Sequence, residues 1–399
     1  DYAKEIEAKG LLGASNKNRT YMFSAYLSLL PFNLGSHLYA FLSSFVYIQS
    51  LIFLVLSCTI LFLIRNSRYF FQFLFGVCIN PLILIYIPLP LSESLVCLVV
   101  FVLIAIIVNI DRIKPSVFLV LIGTIAGSLV VIRPASISVS TGLIVFCLLY
   151  IWKRYRDSRQ ASANKTLLAS LMVLCLCVSF LIPISIQYYI NYKHYNALKM
   201  VGNMDLGGYQ LKGGIELYKY GTFLIPVNNW VGVRYKSGIT PPEDKRYLLF
   251  YLQHPLKGMK LAFIHVYSAL NYDFLEPYVH SMYKRISFHQ ILSSLITILG
   301  FLGMGYYWIE NINKRQMPLN LYALGDMLVL FSIPLLMVVA AETRFGLIPM
   351  IFLSVRTVGF LFDLKNMKIR SILFVLLVVV LYVVASIYLS DHIFSKAKI

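Results

Sequence analysis

TLLASLMVLCLCVSFLIPISIQYYI, residues 166–190, carries no charged side chain from end to end. An α-helix rises about 1.5 Å per residue, so about 20 apolar residues cross the ~30 Å hydrocarbon core of a bilayer. In lipid a backbone must satisfy its own N–H and C=O groups, which leaves helices and closed barrels. The alternating pattern of a barrel strand is missing here. This stretch therefore reads as a transmembrane helix, and it sets the class of the whole chain.

Working outward, further apolar runs of the same kind lie at 37–64, 69–87, 94–110, 115–132, 136–151, 287–308, 320–341, 345–362 and 371–390. The expectation is an all-α polytopic membrane protein with about ten transmembrane helices. The chain begins at Asp1 rather than methionine, so one more span is expected before it. Of 399 residues 59% are hydrophobic and 13% charged, where a soluble domain carries about 25% charged. The formal charge of +18 comes from 35 basic and 17 acidic residues. No RNA-binding motif or dense basic patch with interleaved aromatics accompanies it, so nucleic acid is not an expected partner; the bilayer is.

The connectors orient the spans. Arg65 and Arg68, Arg112 and Lys114, WKRYRDSR (152–159), Lys314 and Arg315, then Lys365, Lys368 and Arg370 recur on one side. The short turns between them, LPLSES (89–94), IRPASI (132–137) and AAETRF (340–345), hold two basic residues, Arg133 and Arg344. By the positive-inside rule the first set is cytoplasmic. Residues 1–36 then form a first outer loop, 37–190 a membrane block, 191–286 a large outer loop, 287–390 a second membrane block and 391–399 an outer tail. Within the outer loops, 2–13, 19–32 and 247–270 mix apolar and polar residues at helix-compatible spacing, as interfacial helices do. The Gly-rich stretch 202–214 lacks the GK[ST] of a phosphate loop and reads as a turn. The six cysteines all sit in apolar runs, and neither they nor the seven histidines have a recognised metal spacing, so no metal or other cofactor is expected.

Charge inside apolar runs is costly, and here it gathers at the outer ends: Asp1, Glu5 and Arg19, Glu93, Arg133, Glu342 and Arg344. Each has an ordinary explanation. Glu93 suits a helix N-terminus. Arg133 can snorkel to headgroups, as can Arg356 in the following span. Glu342 and Arg344 can pair, although i,i+2 is poor geometry on a helix, and Asp1 at a terminus would be solvated. Their shared face points to chemistry. Arginines beside lipid tails suit the phosphate of a lipid carrier, and carboxylates suit deprotonation of an attacking acceptor.

The order of these motifs resembles the polytopic GT-C glycosyltransferases that use polyprenyl-phosphate sugars, such as protein mannosyltransferases and the aminoarabinose transferase of lipid A. DYAKEIEAKGLL (1–12) is similar to their first outer loop, which opens on an Asp near a Tyr. NRTYMFSAYLSLLP (18–31), the Ser-Glu step of LPLSES, GTIAGSLVVIRP (123–134) and ETRFGLIP (342–349) follow in the family's order. The resemblance implies an inverting transfer on the non-cytoplasmic face of an integral membrane enzyme. Asp1 would be the general base, Arg133, Arg344 and Arg19 donor-phosphate ligands, and Glu93, Glu342 and Glu5 orienting groups. The partners implied are a polyprenyl-phosphate-linked sugar donor and a glycan, lipid or protein acceptor. The chain departs from the pattern where some members carry a second acid beside the first, since Tyr2 and Ala3 stand there. It also carries little after Asp391, so acceptor selection falls to 191–286 or a partner. Two other classes stay open: a polymerase or ligase of lipid-linked glycans, which would not need Asp1, and a transporter or flippase, whose charges usually lie near the midplane of repeated halves.

Overall fold

The computed structural model describes residues 2–16, 19–30, 38–89, 91–157, 162–201, 206–225, 229–272, 287–314, 318–339 and 343–398. Two short helices come first, α1 (Tyr2–Lys9) and α2 (Tyr21–Leu29), then the long α3 (Leu38–Leu63). Two four-residue pieces follow, α4 (Phe70–Phe73) and α5 (Pro81–Leu84). Next are α6 (Ser92–Val108), α7 (Pro115–Ile132), α8 (Ile137–Asp157) and α9 (Ser162–Tyr195). A helix α10 (Leu206–Glu216) leads into strands β1 (Leu217–Ile225) and β2 (Asn229–Lys236). Beyond them lie α11 (Tyr247–Gln253), α12 (Pro255–Leu270), α13 (Ser287–Asn313), α14 (Leu321–Val338), α15 (Leu347–Asp363) and α16 (Ile369–Phe394). A two-residue β3 (Ala397–Lys398) ends the described chain.

Among the described residues eight helices are long and apolar enough to cross a membrane, with Ser92–Val108 a shorter apolar helix. The protein is a nearly all-α, multi-pass membrane protein. The run at 69–87 is broken rather than continuous. Asn80 and Pro81 interrupt it, and the residues before them, Leu74–Cys78, form a π-turn. Asn80 repairs the break from both ends of its amide. Its Nδ2 donates to the Gly76 carbonyl at 3.1 Å and to Ser354 Oγ at 2.9 Å, while its Oδ1 accepts from the Leu82 amide at 3.0 Å. Freed backbone groups at membrane depth need such partners.

The chain divides into two compact units, each built from three separated segments. Unit one comprises Asp1–Phe70, Tyr86–Met204 and Pro318–Phe331. At its centre α7 lies along α9. A Cβ on Gly123 would stand 2.8 Å from the Leu176 carbonyl oxygen, and one on Gly127 would collide with that of Phe180. Small residues at such a seam let two helix backbones touch. The first loop closes over the end of this pair: Tyr2, Ile6, Ala14 and Tyr21 bury against Val131 and Ile190.

Unit two comprises Phe71–Ile85, Asp205–Met317 and Ser332–Ile399. Here α13 meets α15 through Gly300 and Gly303, which face Leu353, Arg356 and Phe360. Arg356 does not snorkel; it is buried, with its guanidinium 4.3 Å from the centre of the Tyr307 ring. An aromatic face offers a cation what headgroups would otherwise supply. The stretch expected as a Gly-rich turn is helical in its described part, as α10, and Gly214 allows α10 to press on the backbone of Val338. The strands pair antiparallel, Tyr220 opposite Arg234, and β3 adds to β2 with Ala397 opposite Tyr235. A small core of Tyr218, Tyr235, Phe250, Ile264, Tyr267 and Ile393 packs the hairpin against α11, α12 and the end of α16.

Candidate functional site

Glu93 and Arg133, forty residues apart in sequence, form a salt bridge inside unit one, with Nη1 3.2 Å from Oε1. Their side chains are 2% and 14% exposed. Local sequence explains the placement. Glu93 occupies the first turn of α6, where the helix dipole favours a carboxylate, and Ser92 Oγ donates to its Oε2 at 3.1 Å. Pro134 excludes helical geometry from the residue before it, so α7 stops and Arg133 turns extended at φ −149°, ψ 109°. That leaves the guanidinium beside the negative end of α7 and the carboxylate at the positive end of α6. Both helix dipoles stabilise the pair.

The first loop is fastened at the end of α7 and α9. Gln187 Oε1 accepts the Tyr21 amide at 2.8 Å, its Nε2 donates to Asn191 Oδ1 at 3.1 Å, and Asn191 donates on to the Lys199 and Met200 carbonyls. Lys193 Nζ donates to the Leu12 carbonyl at 3.1 Å, His194 Nε2 lies 3.2 Å from it, and Tyr195 donates to Ser15 Oγ at 2.9 Å. These bonds fasten the segment between α1 and α2 to the end of α9. Tyr2 is buried and its hydroxyl has no hydrogen-bond partner among the described residues. Burial pushes its phenol up to about 12, with Tyr195, Glu5 and Tyr21 adding to the effect. At neutral pH Tyr2 is a neutral hydroxyl able to donate.

The other expected residues fall as follows. Asp1 and Glu342 lie outside the described residues. Arg19 is exposed ahead of α2. Glu5 pairs with Lys9 at 3.1 Å on an open face of α1, a contact that stabilises by well under about 1 kcal/mol. Arg344 is in unit two, half-buried in the 3-10 turn Thr343–Gly346 that opens α15, with its guanidinium 5.8 Å from the Phe345 ring centre. Gly346 seats this turn on the end of α12: a Cβ there would lie 2.8 Å from the Ala269 carbonyl carbon. Tyr272 Oη donates to the Thr343 carbonyl at 3.4 Å.

Two features escaped the sequence. One is the amide relay through Gln187 and Asn191; a polar face near the end of an otherwise apolar helix was its only signal. The other is Lys219 on β1, 2% exposed, whose Nζ donates to the Asn271 carbonyl at 3.4 Å. A lysine set between Tyr218 and Tyr220 in a β-forming run was legible, had the hairpin been foreseen. Among the described residues no three His, Cys, Asp or Glu side chains come together as metal ligands.

No protein-family model matches the chain, and neither does any curated protein or solved structure.

Proposed function

We propose that this protein is an integral membrane glycosyltransferase that moves a sugar from a polyprenyl-phosphate carrier to an acceptor, with inversion, on the non-cytoplasmic face. The observation that carries this reading is the buried Glu93–Arg133 pair at the ends of two apolar helices. Burying two opposite charges costs several kcal/mol per ion, of the order estimated for real proteins after relaxation, and seldom adds stability over an apolar pair. A guanidinium held in one orientation by a carboxylate is, however, a preorganised ligand for phosphate oxygens.

In this account the acceptor oxygen or nitrogen bonds to the anomeric carbon as the carbon–oxygen bond to phosphate breaks. The acceptor's proton passes to the Asp1 carboxylate, which acts as general base. Negative charge grows on the departing polyprenyl phosphate, for which Arg133 is the proposed ligand and Arg19 a peripheral one; Arg344, in unit two, is a candidate ligand on the resemblance alone. Glu93 orients Arg133; Glu342 and Glu5 are proposed to orient the remaining groups or the acceptor.

The test compares cells making the full-length protein with cells making Asp1→Asn, profiling polyprenyl-phosphate sugars and surface glycans by mass spectrometry. Accumulation of one lipid-linked sugar together with loss of the matching residue from one glycan is the expected result. Identical profiles at equal protein level would remove Asp1 as the base and move the polymerase and transporter readings ahead.

A further inference from the structure

Helices α11 and α12 of unit two carry an apolar surface that no span accounts for. They meet at an elbow, where His254 and Pro255 break the helix and the Gly258 amide donates to the His254 carbonyl at 2.8 Å. The elbow is tight: a Cβ on Gly258 would lie 3.1 Å from the Tyr251 Cα. Phe250 on α11 and Leu261, Ile264 and Tyr267 on α12 turn into one core with Tyr235 and Ile393. The outward side is different. Leu248 and Leu252, four residues apart on α11, and Leu256, Met259 and Phe263, at steps of three and four on α12, form a stripe of large exposed side chains. Leu252 and Leu256, on either side of the break, are each 78% exposed. Neither helix is one of the eight described helices long and apolar enough to cross a membrane, so passage through the bilayer does not explain the stripe.

Its place and its charge point to one partner. Tyr267, near the end of α12, donates to the Ser386 carbonyl of α16. Ser386 lies eight residues before the end of α16 at Phe394, about 12 Å by helical rise, inside the span Ile369–Phe394. This bond holds the end of α12 at the level of the bilayer, and the elbow packs on the same core as the end of α16. From Tyr247 to Leu270 there is no acidic residue, while Lys257 and Lys260, which follow Leu256 and Met259, are both exposed. Lysine stems lie along apolar surface while their ammonium groups reach water or headgroups. Apolar side chains edged with lysine, on a helix that does not span, suit the boundary between acyl chains and headgroups. An ammonium at that boundary attracts anionic lipid. We infer that the α11–α12 elbow docks on the leaflet around the Phe394 end of α16. The stripe lies among acyl chains, and Lys257 and Lys260 contact the phosphates of anionic phospholipids. This surface does not rest on the transferase reading.

The test uses the full chain in nanodiscs of phosphatidylcholine and phosphatidylglycerol in equal amounts, with bromine on the acyl chains of one lipid or the other. Bromine quenches tryptophan on contact. Leu252→Trp and Leu256→Trp, each read as the fluorescence gained over the wild type, report on the stripe. Melting temperature shows that each variant folds, and should one tryptophan variant fail, the other carries the test. Both brominated lipids are expected to quench the added tryptophan, the phosphatidylglycerol at least about twofold more. Adding Lys257→Gln and Lys260→Gln is expected to make the two lipids equal, and high salt to narrow the difference between them. Quenching that is equal for both lipids and indifferent to the lysine variants would overturn the assignment to anionic headgroups. An added tryptophan that neither lipid quenches would overturn the docking itself. Two copies of the chain per particle in that case would assign the stripe to a second copy.

Discussion

Glu93 and Arg133 were both visible in the sequence as charges at the ends of apolar runs, but their partnership was not. A contact across forty residues depends on how two helices pack, and no local pattern encodes it. What was legible was the cause of each placement: a carboxylate in a first helical turn, and an arginine stopped by the proline after it. The pair gives a sharp expectation. Removing one partner leaves an uncompensated buried charge, which costs about 3–5 kcal/mol, whereas replacing both by apolar residues is often neutral or stabilising. Glu93→Leu and Arg133→Leu are therefore each expected to lower the melting temperature in detergent markedly, and the double variant to recover most of the loss while remaining inactive. A double variant as unstable as the sum of the singles would show that the two charges do not act as a pair.

At the scale of elements, the spans were readable because lipid leaves the backbone so few options, and the helices within 2–13, 19–32 and 247–270 because their polar and apolar residues mix at helical spacing. Sequence reading lost accuracy where tertiary contacts override local pattern. The 69–87 run is apolar enough to span, yet Asn80 breaks it and pairs with Ser354, nearly three hundred residues away. The β1–β2 hairpin escaped because the outer loop was scanned for helical spacing. His265 shows how that hairpin is held. Its Nε2 lies 2.8 Å from the Leu217 carbonyl on β1 and its Nδ1 2.9 Å from the Met337 carbonyl on α14; a neutral ring carries one N–H and donates to one of the two. Burial lowers its pKa below the ordinary 6.5 and outweighs the two carbonyls, which act in the opposite direction. The folded state thus favours neutral His265, and the unfolded chain binds the extra proton. The stability tied to this residue is present above pH 6.5 and is lost as pH falls through the lowered folded value. Between pH 7.5 and pH 5.5 the melting temperature of the wild type is expected to fall more steeply than that of His265→Gln, as the imidazole of the unfolded chain gains its proton around the ordinary 6.5. Parallel pH profiles for the two proteins would exclude His265 as the source.

For the molecule as a whole, composition alone established a membrane protein, and the distribution of Lys and Arg proposed its orientation. Reading along the chain gave consecutive blocks of loops and spans. Packing instead gathers three separated segments into each unit, because Pro318–Phe331 joins unit one and Phe71–Ile85 joins unit two. Such interleaving cannot be seen in a linear pattern, for the same reason that the Glu93–Arg133 pair could not. Transfer from a polyprenyl-phosphate sugar is the central claim, and reconstitution tests it most directly. The full-length protein would be placed in liposomes with polyprenyl-phosphate sugars and a mixed pool of glycan acceptors, and free polyprenyl phosphate followed by mass spectrometry. The account predicts acceptor-dependent release by the wild type and none by Asp1→Asn. Absence of release by a folded wild type, with intact sugar-phosphate lipid appearing in the opposite leaflet, would contradict it and identify a flippase instead.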